Sequence, residues 1–163
     1  MNRQHNYQTH IQWTGNNGTG TSAYDAYARN YTLTAPNKIP LEASADTVFR
    51  GESDKYNPEE MLVAALSSCH MLWFLHLCAD AGIQVMAYED EAKGVLQEKE
   101  QGGGHFAEVS LNPHVHILDE AQIDQANKLH SEAHKKCFIA NSCNFPIHIK
   151  PNCSLYVRTE SEL

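Results

Sequence analysis

The chain has 163 residues, of which 42% are hydrophobic and 20% charged, and its formal net charge is -8. This length and composition fit one soluble domain with a substantial core, so we expect a single domain over residues 1–163. The negative charge argues against nucleic acid as a partner, because binding to phosphates requires a basic face.

Several features of the sequence favour a cytoplasmic location. The N-terminal segment MNRQHNYQTHIQW lacks the apolar core of a signal peptide. No apolar run reaches the roughly 20 residues needed to cross a bilayer, so we expect no membrane partner. The five cysteines are odd in number and irregularly spaced, unlike a secreted disulfide framework. In a reducing compartment, cysteine pairs tend to be catalytic or redox-sensing.

Alternating residues predict two strands near the N-terminus. Apolar and aromatic residues recur with a period of two over residues 7–13 and again over residues 27–33. The sequence NGTGTSA between them is typical of a turn. In the second of these strands, Arg29 shares a face with Tyr27 and Tyr31.

A long apolar helix follows a segment, residues 35–56, that is typical of a loop with one short strand. Asn57 is a favourable N-cap, Pro58 fits the first helical position, and Glu60 stands where a capping box places an acid. Residues 61–81 carry almost no charge, so the helix should be buried on several sides. We expect a central helix, covered by a sheet on one side and by another helix or subunit on the other.

The second half of the chain predicts further strands. Residues 84–98 form one long extended candidate, and the glycines at 102–104 form a turn. Alternating apolar residues over 109–117 predict the return strand of a hairpin, and the same pattern over 147–157 predicts a last strand.

A second helix is predicted between the hairpin and the last strand, over about residues 120–140. Asp119 and Gln122 resemble a capping box, and Asn141 and Ser142 end the helix. These elements together predict an α+β fold.

Two cysteines lie in the two helical segments. Cys69 is central in NPEEMLVAALSSCHMLWFL, and Cys137 lies in AHKKCFIANS. A lone buried cysteine is usually inert packing, but two on different core helices suggest a redox pair. Both segments resemble the signatures of the OsmC/Ohr family of thiol peroxidases, and the order of elements matches from about residue 10 to about residue 158. The forms SSCH and CFIANS are most similar to an OsmC-like branch.

The resemblance implies both a fold and an activity. The implied fold has two central helices packed on antiparallel β-sheets, assembled as an intertwined homodimer. The implied reaction is the reduction of organic or lipid hydroperoxides to alcohols in oxidative or osmotic stress defence. It needs no cofactor and no metal, and an external dithiol of the dihydrolipoyl type regenerates the enzyme.

The resemblance also assigns roles to particular residues. Cys69 matches the peroxidatic cysteine and Cys137 the resolving cysteine. Glu59 matches the acid that orients an arginine, and Arg29 in YARNY matches that arginine. Arg50 in VFRGESDKYNPEE is the alternative.

The chemistry of a reactive thiol requires a nearby cation. The thiolate attacks the peroxide, and an apolar site disfavours a thiolate. Cys69 lies eleven residues past Pro58, beyond the reach of the helix dipole. An arginine fits because it stays charged and has several fixed donors, and Glu59 is a natural partner for Arg29.

The spacing of Glu59 and Cys69 adds a constraint. Ten residues of straight helix span about 15 Å, so Glu59 cannot reach Cys69 directly. Either Arg29 bridges the gap, or the start of the helix bends back, or Glu59 serves the neighbouring subunit.

An apolar surround would suit an organic hydroperoxide better than hydrogen peroxide. The candidate substrate-binding residues are Tyr27, Tyr31, Met71, Leu72 and Phe138. Cys78, Cys143 and Cys153 are interpreted as packing or surface thiols.

Two other functions remain open. His130, His134 and Cys137 share one helix face, and with His70 they could bind zinc. Alternatively, a catalytically weak OsmC-like protein could hold a hydrophobic ligand at the same apolar site, with thiols that stay reduced.

Overall fold

Nine strands and two α-helices lie within residues 3–158, the part of the chain that the computed structural model describes. The α+β class predicted from the sequence is confirmed. The chain divides between Met61 and Leu62 into two compact units, which are described separately below. The prediction of a single domain stays a prediction.

The first unit contains a three-stranded antiparallel sheet. Its strands are β1 (His10–Trp13), β2 (Tyr31–Thr34) and β3 (Leu41–Ala43), paired in that order. The predicted loop over residues 35–56 with one short strand is confirmed, because β3 is that strand. The same segment also contains a 3₁₀-helix, Thr47–Phe49.

Arg29 lies outside the sheet, so the prediction that it occupies a strand face is wrong. The Trp13 indole donates to the carbonyl of Ala28 at 2.9 Å, and Ala28 N donates to the carbonyl of Gly15 at 2.9 Å. A Cβ on Gly15 would lie 1.9 Å from the Ala28 oxygen, so this close approach requires glycine. These bonds hold the segment before Tyr31 against the end of β1 without the regular pairing of the ladder, although its sequence alternates like a strand.

Helix α1 (Pro58–Asp80) begins with the predicted reciprocal cap. The Glu60 N–H donates to Asn57 Oδ1 at 2.8 Å, and the Asn57 N–H donates to Glu60 Oε2 at 3.1 Å. Two N–H groups that the helix leaves unpaired are thereby satisfied, so the helix start is fixed locally.

The burial of α1 differs from the prediction. Its buried residues recur every four positions, at Leu66, His70, Phe74 and Cys78, and form one stripe. Only 22% of an apolar 18-residue stretch of this helix is buried. The expectation of burial on several sides is therefore wrong for the single chain. Length and composition alone would let α1 cross a membrane, which corrects the expectation of no such run, although soluble core helices meet the same criteria.

Helix α1 continues into the second unit, which also contains two three-stranded sheets. Their strands, in chain order, are β4 (Val85–Asp90), β5 (Lys93–Glu98), β6 (Gly104–Leu111), β7 (Pro113–Ile117), β8 (Ile147–Ile149) and β9 (Asn152–Leu155). One sheet has the order β4-β7-β9 and the other the order β5-β6-β8. Each contains one antiparallel and one parallel pairing.

Each of the three extended runs predicted in this half is two strands rather than one. The runs over 84–98, 109–117 and 147–157 all pass from one sheet to the other. At one crossing, Asn112 N–H donates to Asp90 Oδ1 at 2.6 Å and its side chain donates to the Glu91 carbonyl at 2.8 Å. Because residue alternation continues through these bends, the sequence pattern does not show them.

Helix α2 (Ile123–Lys136) is shorter than predicted. Asp119 caps a preceding 3₁₀-helix, Glu120–Gln122, by accepting from Ala121 N at 3.0 Å. At the other end the Asn141 side chain donates to the carbonyl of Lys135 at 2.9 Å. Cys137 has extended backbone angles and is the C-cap, so its predicted place inside the helix is wrong.

The core of the second unit has two clusters. The larger packs Phe74 and Cys78 of α1 against Ala126 and Ala133 of α2 and against the β4-β7-β9 sheet. The smaller packs Leu66 against β6. Helix α1 therefore contacts both clusters through its single buried stripe.

Candidate active site

The thiols of Cys69 and Cys137 lie against each other. Cys69 is half-buried on α1, whereas Cys137 is 1% exposed. Burial, and then a hydrogen bond with the Cys69 side chain, raise the pKa of Cys137 to about 11. The Ala140 N–H points at Cys137 Sγ from 3.4 Å and partly opposes this rise. The structure thus brings together the two cysteines that the sequence paired.

An open cavity of about 380 Å³ adjoins the Cys69 thiol. Hydrocarbon forms almost all of its wall. The residues lining it are Ala65, Ser68, Cys69, Leu72, Trp73, Phe138 and Ile139. Such a wall suits an apolar ligand.

Trp73 lines the cavity together with Phe138, although it is not among the substrate-binding residues predicted from the sequence. It lies one helical turn after Cys69, a spacing that could have revealed it. Phe138 packs edge-on against its ring at a centroid distance of 5.9 Å. Lys136 Nζ lies 5.6 Å from the ring centroid, which places a cation beside the cavity wall.

Arg29, in the first unit, binds its own loop. Its guanidinium donates to the carbonyls of Tyr27 at 2.5 Å and Tyr24 at 2.7 Å. The same guanidinium lies over both tyrosine rings, 4.1 Å from the centroid of Tyr27 and 4.4 Å from that of Tyr24. Arg50, the alternative arginine, lies 5.9 Å from the Tyr24 ring. Both candidate arginines therefore share one exposed tyrosine.

Glu59, also in the first unit, lies near Tyr31. Burial, and then the Glu59 charge, raise the pKa of Tyr31. The described residues of this unit contain no ion pair between Glu59 and Arg29, so their partnership stays a prediction.

The predicted substrate-binding residues separate into three groups. Leu72 and Phe138 line the cavity, and both are exposed. Met71 is half-buried on α1 and is not among the lining residues. Tyr27 and Tyr31 belong to the first unit.

A buried histidine pair, His70 and His130, joins helices α1 and α2. His70 Nε2 and His130 Nδ1 are 2.9 Å apart, and the two residues are 1% and 2% exposed. Burial lowers the pKa of His70 to about 4 and that of His130 to about 3. Sixty residues separate the two in sequence. The sequence placed both in the candidate zinc cluster but did not predict a hydrogen bond between them.

The zinc hypothesis finds no support in this arrangement. Among residues 3–158, no group of three or more His, Cys, Asp or Glu side chains is placed to hold a metal ion. The His130 ring contacts His70 and lies 3.7 Å from Cys153 Sγ, rather than converging with His134 and Cys137.

Comparison with known proteins agrees with the fold and with the cysteine segments. A family model described as OsmC-like protein matches residues 51–152. No curated protein matches the chain significantly. An OsmC-like protein of unknown function from Vibrio cholerae is 29% identical, with a TM-score of 0.82, over 91% of this chain and 100% of that one.

Two organic hydroperoxide resistance proteins share the fold at lower identity. The one from Elizabethkingia anophelis is 21% identical with a TM-score of 0.69, over 96% of this chain and 100% of that one. OhrB of Bacillus subtilis is 17% identical with a TM-score of 0.62, over 92% and 98%. The family match covers more than half of the chain, and this chain therefore belongs to the OsmC-like protein family.

Proposed function

We propose that this chain is a thiol-dependent peroxidase that reduces organic or lipid hydroperoxides to alcohols. The observation that carries the proposal is the contact between the Cys69 and Cys137 thiols beside an apolar cavity. The fold shared with two organic hydroperoxide resistance proteins supports it.

In the proposed reaction, two cysteines act in sequence. The Cys69 thiolate attacks one peroxide oxygen, the O–O bond breaks, and the second oxygen takes a proton and leaves as the alcohol. Cys69 is then a sulfenic acid. The Cys137 thiol attacks its sulfur, an S–S bond forms, and water leaves. An external dithiol, which we propose is of the dihydrolipoyl class, reduces the disulfide and is itself oxidised.

The different surroundings of the two thiols suit these roles. Cys69 borders the open cavity, so a peroxide reaches it first. Cys137 is 1% exposed and its pKa is raised to about 11, so it stays a protonated thiol at neutral pH. Because oxidation follows thiolate character and exposure, Cys137 is protected until Cys69 becomes a sulfenic acid.

The cation that stabilises the Cys69 thiolate is proposed to be Arg29, with Glu59 as the acid that orients it. Arg50 is the alternative. In both cases the guanidinium would form charge-assisted hydrogen bonds with the sulfur and the carboxylate. For Arg29 this requires release of the two loop carbonyls that it binds here.

We propose that the protein works as a homodimer in the cytoplasm. Much of the apolar surface of α1 is open in the single chain, and Leu72 and Phe138 are 63% and 68% exposed. An apolar surface of this kind favours a protein partner, and a second copy would cover it.

Thiol mapping after peroxide treatment tests the proposed activity. We expect one equivalent of cumene hydroperoxide to give the alcohol and a Cys69–Cys137 disulfide, faster than hydrogen peroxide does. Cys69→Ser should abolish turnover, and Cys137→Ser should stop at a sulfenic acid that dimedone traps. Cys143→Ser is the matched control, because Cys143 is also half-buried but does not line the cavity. Thiols that stay reduced would contradict the proposal.

A second candidate function is the binding of a hydrophobic ligand without catalysis. The mostly hydrocarbon wall of the cavity favours it. Native mass spectrometry of the purified protein would then show a bound lipid, and peroxide would leave Cys69 and Cys137 reduced.

A further inference from the structure

We propose that His70 and His130 form an uncharged, hydrogen-bonded pair that positions Cys137 against Cys69 for disulfide formation. The inference rests on the proposed function, because the disulfide is the step that it assists. Neither ring is proposed to touch the substrate, so the two histidines are positioning residues.

The pair joins α1, which carries Cys69, to α2, whose C-cap is Cys137. His70 follows Cys69 directly on α1, and His130 lies seven residues, or about two turns, before Cys137 on α2. The hydrogen bond between His70 Nε2 and His130 Nδ1 is 2.9 Å long. It therefore fixes how far α2 is displaced along α1, and that displacement decides where the α2 C-cap places Cys137.

Packing around His130 holds this ring in one orientation. Phe74 stacks on it with centroids 3.9 Å apart, and Cys153 Sγ lies 3.7 Å from Nε2. Ala126 and Ala133 are fully buried, and these small residues allow α2 to pack closely against the core. The ring is thus held by α1, by its own helix and by β9.

The hydrogen bond needs at least one uncharged ring to supply the accepting nitrogen, and burial favours the uncharged form of both rings. One nitrogen donates and the other accepts, whereas two protonated rings would turn donor toward donor. Both rings are almost completely buried, and His70 Nδ1 has no hydrogen-bond partner within the described residues. Loss of the partner at His130 would leave His70 with a second unsatisfied nitrogen, so the helices would shift to restore contact with a donor or water.

Variants at His130 separate a hydrogen-bonding role from simple filling of space. His130→Leu removes the hydrogen bond, and His130→Asn retains an amide atom near the position of Nδ1. His70→Leu and His70→Gln form the corresponding pair, since the glutamine amide reaches the position of Nε2. His76→Leu is the matched control, because His76 is an exposed histidine on the same helix.

Two separate oxidants keep this inference distinct from the proposed peroxidase activity. Diamide oxidises neighbouring thiols without any peroxide chemistry, and it reports whether Cys69 and Cys137 are aligned. Cumene hydroperoxide reports the complete reaction. Dimedone capture in a Cys137→Ser background measures the attack of Cys69 on the peroxide by itself.

We expect His130→Leu and His70→Leu to slow Cys69–Cys137 disulfide formation about tenfold or more with both oxidants, because small misplacements of reacting groups are costly. Dimedone capture should change less than about twofold, since Cys69 keeps its own surroundings. His130→Asn and His70→Gln should retain most of the wild-type rate, and His76→Leu all of it. If a single leucine variant does not fold, the double variant His70→Leu/His130→Leu replaces it, because it leaves no polar atom unpaired.

Leucine variants that form the disulfide at the wild-type rate would overturn the inference. The same holds if the amide variants are as slow as the leucine variants, because the rings would then act by shape alone. A wild-type protein that forms the disulfide with diamide but not with hydroperoxide would disprove the proposed peroxidase activity, and the diamide rates would still decide the role of the histidines. A wild-type protein that forms it with neither oxidant would disprove both.

Discussion

The Ser67 hydroxyl donates a hydrogen bond of 2.6 Å to the Asp90 carboxylate. Ser67 lies two residues before Cys69 on α1, and Asp90 is the last residue of β4. The second oxygen of Asp90 accepts from the backbone N–H of Asn112 at 2.6 Å, where the chain passes between the two sheets. The Asp90 carboxylate therefore connects helix α1, which carries Cys69, to the end of β4 and to the bend between β6 and β7.

Removal of the Asp90 carboxylate should destabilise the protein. Asp90→Ala loses two charge-assisted hydrogen bonds, so we expect the free energy of unfolding to fall by about 2–4 kcal/mol. Ser67→Ala loses one of them and should cost about 1 kcal/mol. Urea denaturation measures both. Asp80→Ala is the control, because Asp80 is exposed at the end of α1; an Asp90→Ala variant as stable as this control would refute the anchoring role.

The buried histidine pair should make stability depend on pH. His70 titrates near 6.5 in the unfolded chain and at about 4 in the folded one, so the unfolded state binds more protons between these values. The contribution of uncharged His70 to the free energy of unfolding is fully present above about pH 6.5 and decreases as the pH falls. Once the pH is below the folded pKa of His70, the free energy of unfolding is lower by on the order of 3 kcal/mol.

Neighbouring charges modify this titration. Burial is the main cause of the lowered pKa of His70, the Asp90 charge opposes it, and His134 adds to it. His130 follows the same direction because of burial and then His70. Urea titrations of wild type and His70→Gln between pH 7 and pH 4 isolate the effect, since the carboxylates and the other histidines are common to both proteins. Equal slopes for the two proteins would contradict the assignment.

The apolar wall of the cavity should set the preference for organic peroxides. Phe138→Ser removes a ring that lines the cavity and packs on Trp73, so kcat/KM for cumene hydroperoxide should fall about tenfold. The value for hydrogen peroxide should change less than about twofold, because that molecule makes few apolar contacts. Leu118→Ser, at an exposed apolar residue that does not line the cavity, is the control. An equal loss for both peroxides would argue against a substrate-binding role for Phe138.

Mixed dimers should show whether Glu59 serves its own chain or the neighbouring one. Homodimers of Glu59→Ala and of Cys69→Ser should both be inactive or nearly so. If Glu59 acts across the interface, dimers that combine the two lesions contain one intact site and regain up to about half of the wild-type activity per dimer. Tagged co-expression and steady-state assays measure this. Mixed dimers without activity would place Glu59 and Cys69 of one chain in the same site.

The start of α1 could be predicted from the sequence because its determinants are local. Asn57 and Glu60 satisfy each other's backbone N–H groups within one turn. The end of α2 could not be predicted from the sequence, because the segment AHKKCFIANS is compatible with a continuing helix. Its termination depends on the extended backbone of Cys137 and on the bond from the Asn141 side chain to the Lys135 carbonyl.

The sequence pattern does not show which sheet each strand joins. Alternation of apolar residues continues from β4 into β5, although the two strands pair in different sheets. The cysteine pair could be predicted from the sequence because each cysteine lies in a distinctive segment. The contact between His70 and His130 depends on the packing of two helices, and sixty residues separate the rings.

The most direct test of the account is disulfide mapping after one equivalent of an organic hydroperoxide. Peptide mass spectrometry of the rapidly quenched protein would measure the fraction of Cys69 linked to each of the other cysteines. We predict a disulfide between Cys69 and Cys137 together with one equivalent of alcohol, formed faster than with hydrogen peroxide. Reduced thiols after complete exposure, or Cys69 linked mainly to Cys78, Cys143 or Cys153, would contradict it.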